Sequence, residues 1–530
     1  MENHFTGYDW LVLAAYFAAT IGIGLSFSRK SRNSEGFTAA NRSLPGWVCG
    51  LSIFATFLSS ISFLALPGRS FAGNWMPFAF SLSLPIATWI AIRWFLPYYR
   101  KSGEISAYAH LENRFGPWAR IYTSSFYLLT QLARTGMVLY LMALPLSVIL
   151  GVPISSLLLV TGAVVTAYAL VGGIVAVIWT DALQAIVLIA GALCCLIVML
   201  VRIPGGIPEL ATISAEHAKF SLGSFDPTLL GVQTFWVVFL NGLFINLQNF
   251  GIDQSYVQRY IAASSEKEAR RSVWLGGLLY IPVSAVFFLI GTSLFAFYQA
   301  HPADLADVRQ TAAAQQILRE GGNANSPDFN TAVITRASTL TDSNIADSVF
   351  PHFIGKQLPP GLTGLLISAV LAAGMSTVST SLNSAATIIH RDYFLRFIRP
   401  EANEKQSILT LRLATLIFGI IGTSVSFLLL NISSALDAWW TLSSIFSGGI
   451  LGLFLLGMAS RANNTAAISA VTAGLLAIAW MVLSSRNLWP SSLSVIASPF
   501  HDFLIIVVGT LTILTTGFSL TIILPRRKSQ

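Results

Sequence analysis

Apolar residues recur along this chain in runs of twenty or more, interrupted by short polar stretches, almost from one end to the other. A helix needs about 20 apolar residues to cross the hydrocarbon core of a bilayer. Roughly thirteen segments meet that length, near 8–27, 46–71, 74–98, 118–149, 154–176, 177–201, 232–258, 273–298, 361–390, 408–430, 436–459, 464–484 and 501–524. They are too long, and alternate too little, for the strands of an outer-membrane barrel. The pattern predicts an all-α membrane protein of about 13 transmembrane helices. The first run lacks a basic leader and a clear cleavage site, so it is expected to persist as a helix.

Composition agrees with lipid as the main solvent. Hydrophobic residues make up 54% of the 530 residues and charged ones 10%, against about 25% charge in a soluble domain. The net charge of +8 reads as topology rather than nucleic-acid binding, because the basic residues fall between apolar runs. Arg29, Lys30 and Arg32 follow span 1, and Arg100, Lys101, Arg114 and Arg120 separate spans 3 and 4. Arg259, Lys267, Arg270 and Arg271 follow span 7, and Arg391, Arg396, Arg399 and Lys405 follow span 9. Arg526, Arg527 and Lys528 close the chain. With the spans counted as above, every cluster falls on one face, expected to be cytoplasmic. The N-terminus is then outside and the C-terminus inside, in a multi-pass protein of the cell (inner) membrane. Cys49, Cys194 and Cys195 lie within apolar runs and form no disulfide or zinc spacing. The absence of His-Glu-x-x-His and Gly-x-Ser-x-Gly motifs speaks against an intramembrane hydrolase. The long segment 299–360, on the outer side, is expected to be a solvated loop with a short helix, or a lid over a substrate path.

Polar residues inside a span are costly and point to function. In span 2, Thr56, Ser59, Ser60 and Ser62 follow Ala55 closely, with Pro67 and Gly68 beyond. A broken helix there frees carbonyls for a cation; the alternative is hydroxyls bonding back to the preceding turn. In span 9, Ser376, Thr377, Ser379, Thr380, Ser381, Asn383 and Ser384 crowd into nine positions. Neutral oxygens of this kind suit sodium, as hard oxygens suit other hard cations, while small residues also permit close helix packing. Asp181, near the start of span 6, is either an acid in a helix's first turn or a carboxylate partner for a cation. Arg134 lies about sixteen residues into span 4, roughly 24 Å along a helix. With no acid nearby in its own span, it pairs either with a distant acid or with an anion brought by the substrate. Span 7, with Asn241, Asn246, Gln248, Asn249, Asp253 and Gln254, reads as an interrupted helix lining a cavity, with Asn246 a candidate substrate contact. It mirrors span 2 five spans earlier, as two inverted five-span repeats would require.

At these residues the chain resembles the sodium:solute symporter family. The resemblance runs over about residues 8–524 and is carried by Gly172-Gly173, Val177-Ile178-Trp179-Thr180-Asp181 with Gln184, Val257-Gln258-Arg259 and the hydroxyl run of span 9. Within the family it is most similar to the bacterial sialic acid symporters, through Phe54-Ala55-Thr56, Leu58-Ser59-Ser60-Ile61 and Arg134. The resemblance implies a leucine-transporter-like fold with 5+5 inverted repeats. It also implies a principal sodium site from the carbonyls of Ala55, Leu58 and Ala373 and the hydroxyls of Ser376 and Thr377. A second sodium site would use Asp181, Ser376, Ser379 and Thr380. Ser59, Ser62 and Arg134 fit the sialic acid pattern, with Arg134 holding the carboxylate. Phe57 stands where that pattern has a hydroxyl, Ser81 where it has a glutamine and Pro77 where it has an aromatic residue. The carboxylate anchor is kept and the remaining contacts are altered.

The resulting expectation is a sodium-coupled symporter importing a small carboxylate-bearing solute such as sialic acid or a related sugar acid. A neutral-sugar or monocarboxylate carrier, and an uncoupled channel or receptor, are the alternatives. Na+ is the coupling ion, no organic cofactor is needed, and the partners are solute, sodium and lipid, not nucleic acid. The expected organisation is residues 1–45 (first helix and loop), 46–201 (first repeat), 202–462 (second repeat) and 463–530 (two further spans and a basic tail).

Overall fold

A computed structural model describes residues 5–27, 31–324, 326–431, 449–460, 462–485 and 495–523. The basic clusters at 29–30 and 526–528 and most of the expected span at 436–459 lie outside the described residues. The described architecture is helical. The principal helices are α1 (Gly7–Ser26), the broken pair α2 (Gly46–Phe57) and α3 (Ser60–Ala72), the stretch Met76–Ser102, α4 (Pro117–Leu150) and α5 (Ile154–Arg202). They continue with α6 (Phe235–Ile252), α7 (Gln254–Ala262), α8 (Glu266–Ala300), α9 (Leu362–Ile388) and α10 (Glu404–Leu428). The last are α11 (Gly449–Ala459), α12 (Asn464–Ser485) and α13 (Ile505–Ile523). Among the described residues, 10 helices are long and apolar enough to cross a membrane, or 11 with the bent pair taken as one span.

Three breaks organise the bundle. The span 2 helix is interrupted at Leu58 and Ser59, both in extended backbone, and its halves are inclined by 56°. Pro67 and Gly68, the more obvious breakers, sit inside α3 without ending it. The amide-rich span 7 breaks at Asp253, whose side chain caps α7. In α5, Gly173 adopts φ 54, ψ −153, a conformation open to glycine. A Cβ there would also strike Phe37 at 2.9 Å. The break falls close to the expected boundary between spans 5 and 6.

α9 is the axis of the bundle. Almost every residue of it is buried, including the whole hydroxyl run, so the polar residues occupy its full circumference rather than one face. It packs on α2, α3, α4, α5 and α10.

The segment 299–360 is more than a loop with a short helix. It folds into Pro302–Arg319, Phe329–Thr339 and Asp342–Gln357. The last buries Ile345, Val349 and Phe353, spaced four apart, and packs on α3. Phe63 of α3 stacks on Phe350 and meets Phe287 edge-on, with centroids 5.8 and 4.8 Å apart, so aromatic rings pack where this helix meets α3. A separate cluster is held by charge. Arg120 bonds Glu112 at 2.9 Å and Asp392 at 2.6 Å, and Arg396 pairs with the same Glu112.

Candidate functional site

The break between α2 and α3 exposes backbone acceptors. The last α-helical bond of α2 runs from Leu58 N to the Phe54 carbonyl, at 3.0 Å. The carbonyls of Ala55 and Thr56 would next receive the amides of Ser59 and Ser60, but the chain has left the helix there, and a buried carbonyl without a donor is costly. Each finds a side chain instead. Ser376 Oγ donates to the Ala55 carbonyl at 3.0 Å, and Arg134 donates to the Thr56 carbonyl at 3.3 Å. Residues 321 and 78 positions apart in sequence therefore meet at one break.

Around Ala55 the oxygens of α9 are concentrated. Ser376 Oγ lies 3.1 Å and Thr377 Oγ1 3.2 Å from the Ala373 carbonyl. Four of the five residues expected at the principal cation site thus form one linked set, and the fifth, Leu58, is buried at the break itself. Ser376 Oγ thus sits between a carbonyl of its own helix and one of the neighbouring helix.

The second set centres on Asp181. Its Oδ2 accepts from Ser52 Oγ at 2.6 Å and from Arg259 at 2.7 Å, while Oδ1 has no partner. Arg259 also donates to Thr380 Oγ1 at 2.6 Å and to Ser52 Oγ at 2.7 Å. Ser379 lies beside Asp181, and Thr380 Oγ1 is 3.2 Å from Thr56 Oγ1, which joins this set to the break. Arg259 corrects the charge reading. It is not a cytoplasmic anchor but a fully buried guanidinium ion-paired to Asp181. Its neighbours Tyr256, Val257, Tyr260 and Ile261 supply no acid, unlike those of Arg270 and Arg271, which pair locally with Glu266 and Glu268. That lack of a local acid was the available signal.

The expected solute contacts are less tightly grouped. Phe57 packs edge-on against Tyr280 with centroids 4.5 Å apart and lies near Phe250 and Phe80. Ser59 is the N-cap of α3, and Ser62 approaches the Tyr280 phenol. Ser81 accepts from Ser284 of α8 at 3.0 Å. Asn246 donates to Ser83 Oγ at 2.9 Å and to the Phe80 carbonyl at 3.4 Å, leaving its Oδ1 without a partner. Ser52 and Tyr280 are participants that the sequence did not single out. Arg134 is half-buried, and among the described residues it forms no ion pair.

Comparison with known proteins places the whole chain among sodium:solute symporters. The model of the sodium:solute symporter family matches residues 37–474. The chain is 29% identical over 522 residues to the sodium/sialic acid symporter SiaT of Proteus mirabilis, covering 98% of this chain and 95% of that protein. It is 29% identical over 514 residues to the sodium/sialic acid symporter NanT of Aliivibrio fischeri, covering 96% and 92%. A Na+-coupled sialic acid symporter, solved substrate-bound and outward-open with a novel Na+ site, superposes with a TM-score of 0.84. The sequence identity is 26%, and the match covers 99% of this chain and 100% of that one.

Proposed function

The chain belongs to the sodium:solute symporter family, and on that footing we propose that it imports an acidic sugar of the sialic acid class together with sodium. The observation carrying this reading is the pair of freed carbonyls at the α2–α3 break, one met by Ser376 and the other by Arg134. A cation entering beside Ala55, Leu58, Ala373, Ser376 and Thr377 would bridge α2 to α9 and fix the break. The break in turn carries the groups facing the solute. Arg134, without an acid of its own, would take the solute carboxylate; Phe57, Ser59, Ser62, Ser81 and Asn246 would shape the rest of the pocket.

Inward opening that separates α2 from α9 dismantles the cation site and releases the ion. Each sodium moving inward across about 100 mV contributes roughly 2.3 kcal/mol from the potential. A second sodium at Asp181, Ser376, Ser379 and Thr380 would add to this, and the unpartnered Oδ1 of Asp181 supports it. Such an ion has to share its oxygens with Arg259.

The reading includes thirteen spans in an inner membrane, two inverted five-span repeats (46–201 and 202–462), an outer N-terminus and a cytoplasmic C-terminus. The Gly173 break supports counting α5 as two spans, and the paired breaks at Leu58 and Asp253 support the repeats. A monocarboxylate is the second reading, favoured by the aromatic wall of Phe57, Phe80, Phe250 and Tyr280.

Uptake into proteoliposomes tests the proposal. Labelled sialic acid should accumulate only with an inward sodium gradient, Ser376→Ala should raise the sodium concentration for half-maximal uptake, and Arg134→Ala should abolish uptake of the anion. Accumulation indifferent to sodium would exclude symport. Full anion transport by Arg134→Ala would exclude the carboxylate anchor.

A further inference from the structure

Asp253 is a membrane carboxylate with no part in the sites above. It stands at the break between α6 and α7 and is buried to within 9% of its surface. Its two oxygens have unequal tasks. Oδ1 caps α7, accepting from Ser255 N at 2.8 Å and from the Ser255 hydroxyl, with a long contact to Tyr127 Oη at 3.4 Å. Oδ2 has one long contact, to Gln131 Nε2 at 3.5 Å. Among the described residues no cation pairs with it. Capping explains Oδ1. It leaves Oδ2, and the use of an acid here at all, unexplained, since a neutral asparagine caps as well.

The contacts from α4 point to the missing cation. Tyr127, Gln131 and Arg134 are spaced four and three apart and so share one face of the helix. Two of these three side chains already touch Asp253. The third, one turn beyond Gln131 and about 5 Å further along the axis, is the arginine with no anion. The same two phenols, Tyr127 and Tyr256, lie within electrostatic reach of both charges.

We propose that Asp253 is the internal counter-charge of Arg134, engaged when the solute carboxylate has left. The inference rests on the reading of Arg134 as the anion anchor. With solute bound, its carboxylate neutralises the guanidinium. With the cytoplasmic side open and the solute gone, water does so. When the empty carrier recloses, water is excluded and a bare guanidinium in a low-dielectric interior is costly. A change of rotamer from the Thr56 carbonyl towards Asp253 Oδ2 supplies the partner from the next turn. Asp253 lies on the cytoplasmic side of Arg134 in the proposed orientation, away from the side on which the solute arrives. Asp253 is thus a positioning residue for the return step, not a solute ligand.

The test separates return from binding. In proteoliposomes, exchange of external labelled for internal unlabelled sialic acid needs no empty reorientation, whereas net sodium-driven uptake does. Asp253→Asn should leave binding and exchange within about twofold and lower net uptake about tenfold, the effect of roughly 1.4 kcal/mol on a barrier. Asp253→Ser, a second uncharged capping residue, should behave alike, and Asp253→Glu should recover net uptake. Net uptake unchanged in both uncharged variants, or exchange falling in parallel with it, overturns the proposal. Loss of binding in Arg134→Ala alongside retention in Asp253→Asn upholds the anchor independently. Transport surviving in Arg134→Ala refutes the anchor itself, whatever Asp253 does.

Discussion

Asp181 and Arg259 meet at 2.7 Å with neither side chain exposed, so their attraction has to offset two desolvations. A buried pair of this kind contributes little net stability when intact, yet losing one member costs about 3–5 kcal/mol, because the other charge is stranded. Arg259→Met should therefore lower thermal stability in detergent steeply, and Asp181→Asn combined with Arg259→Met should cost less than the two single losses added. A strictly additive double variant would mean that the pair carries no coupling. Asp181 was visible in the sequence as an acid within an apolar run. Arg259 was not, because a basic residue just past a span is ordinarily a cytoplasmic anchor. The lack of a local acid was the one hint, and the fold, by returning α7 to the centre of the bundle, shows the burial.

At the scale of elements, the functional segments are the interrupted ones, and their neighbours fix where each half lies. α3 is held between α8 and the helix Asp342–Gln357. A Cβ on Gly291 would come within 2.1 Å of the Pro67 carbonyl, and one on Gly68 within 2.5 Å of the Ala346 carbonyl. Backbone is touching backbone at both places, so there is no flexible side chain to yield. Gly68→Ala should cost about 1–3 kcal/mol by overpacking and push the helix Asp342–Gln357 from α3. A lower melting temperature together with weaker solute affinity is the expected result, and wild-type values for both would contradict that packing. Clustered hydroxyls and amides made both broken spans legible, since such residues are tolerated in a membrane where backbone has to be re-satisfied. The place of the first break was less so: Pro67 is accommodated within α3, whereas Leu58 and Ser59 carry no strong breaking signature. The helix Asp342–Gln357 was hidden because Ile345, Val349 and Phe353 are interspersed with Asp347, Ser348, Pro351 and His352, which mask their common face.

For the whole molecule, direction is the property that matters, because a symporter that accumulates solute must face the membrane potential the right way. The basic clusters, less Arg259, still favour one face. Cysteines introduced at Ser338, in the outer helices, and at Arg270, both exposed, should differ in intact cells. In a background lacking Cys49, Cys194 and Cys195, the first should react with an impermeant maleimide and the second only after lysis. The reverse pattern would invert the topology.

The contrast between the two ends of the molecule has a consequence for how it responds to its surroundings. In the proposed orientation the outer end carries a stack of rings around Phe63, and the inner end carries Arg120 bridging Glu112 and Asp392, with Arg396 on the same Glu112. Opening inward exposes separated charges to a screening electrolyte, and opening outward exposes hydrocarbon. On that orientation, potassium chloride added on the cytoplasmic face favours unlatching there, while the same salt outside tightens the aromatic seal. The ionic composition of each compartment becomes a bias on the cycle that requires no additional binding site.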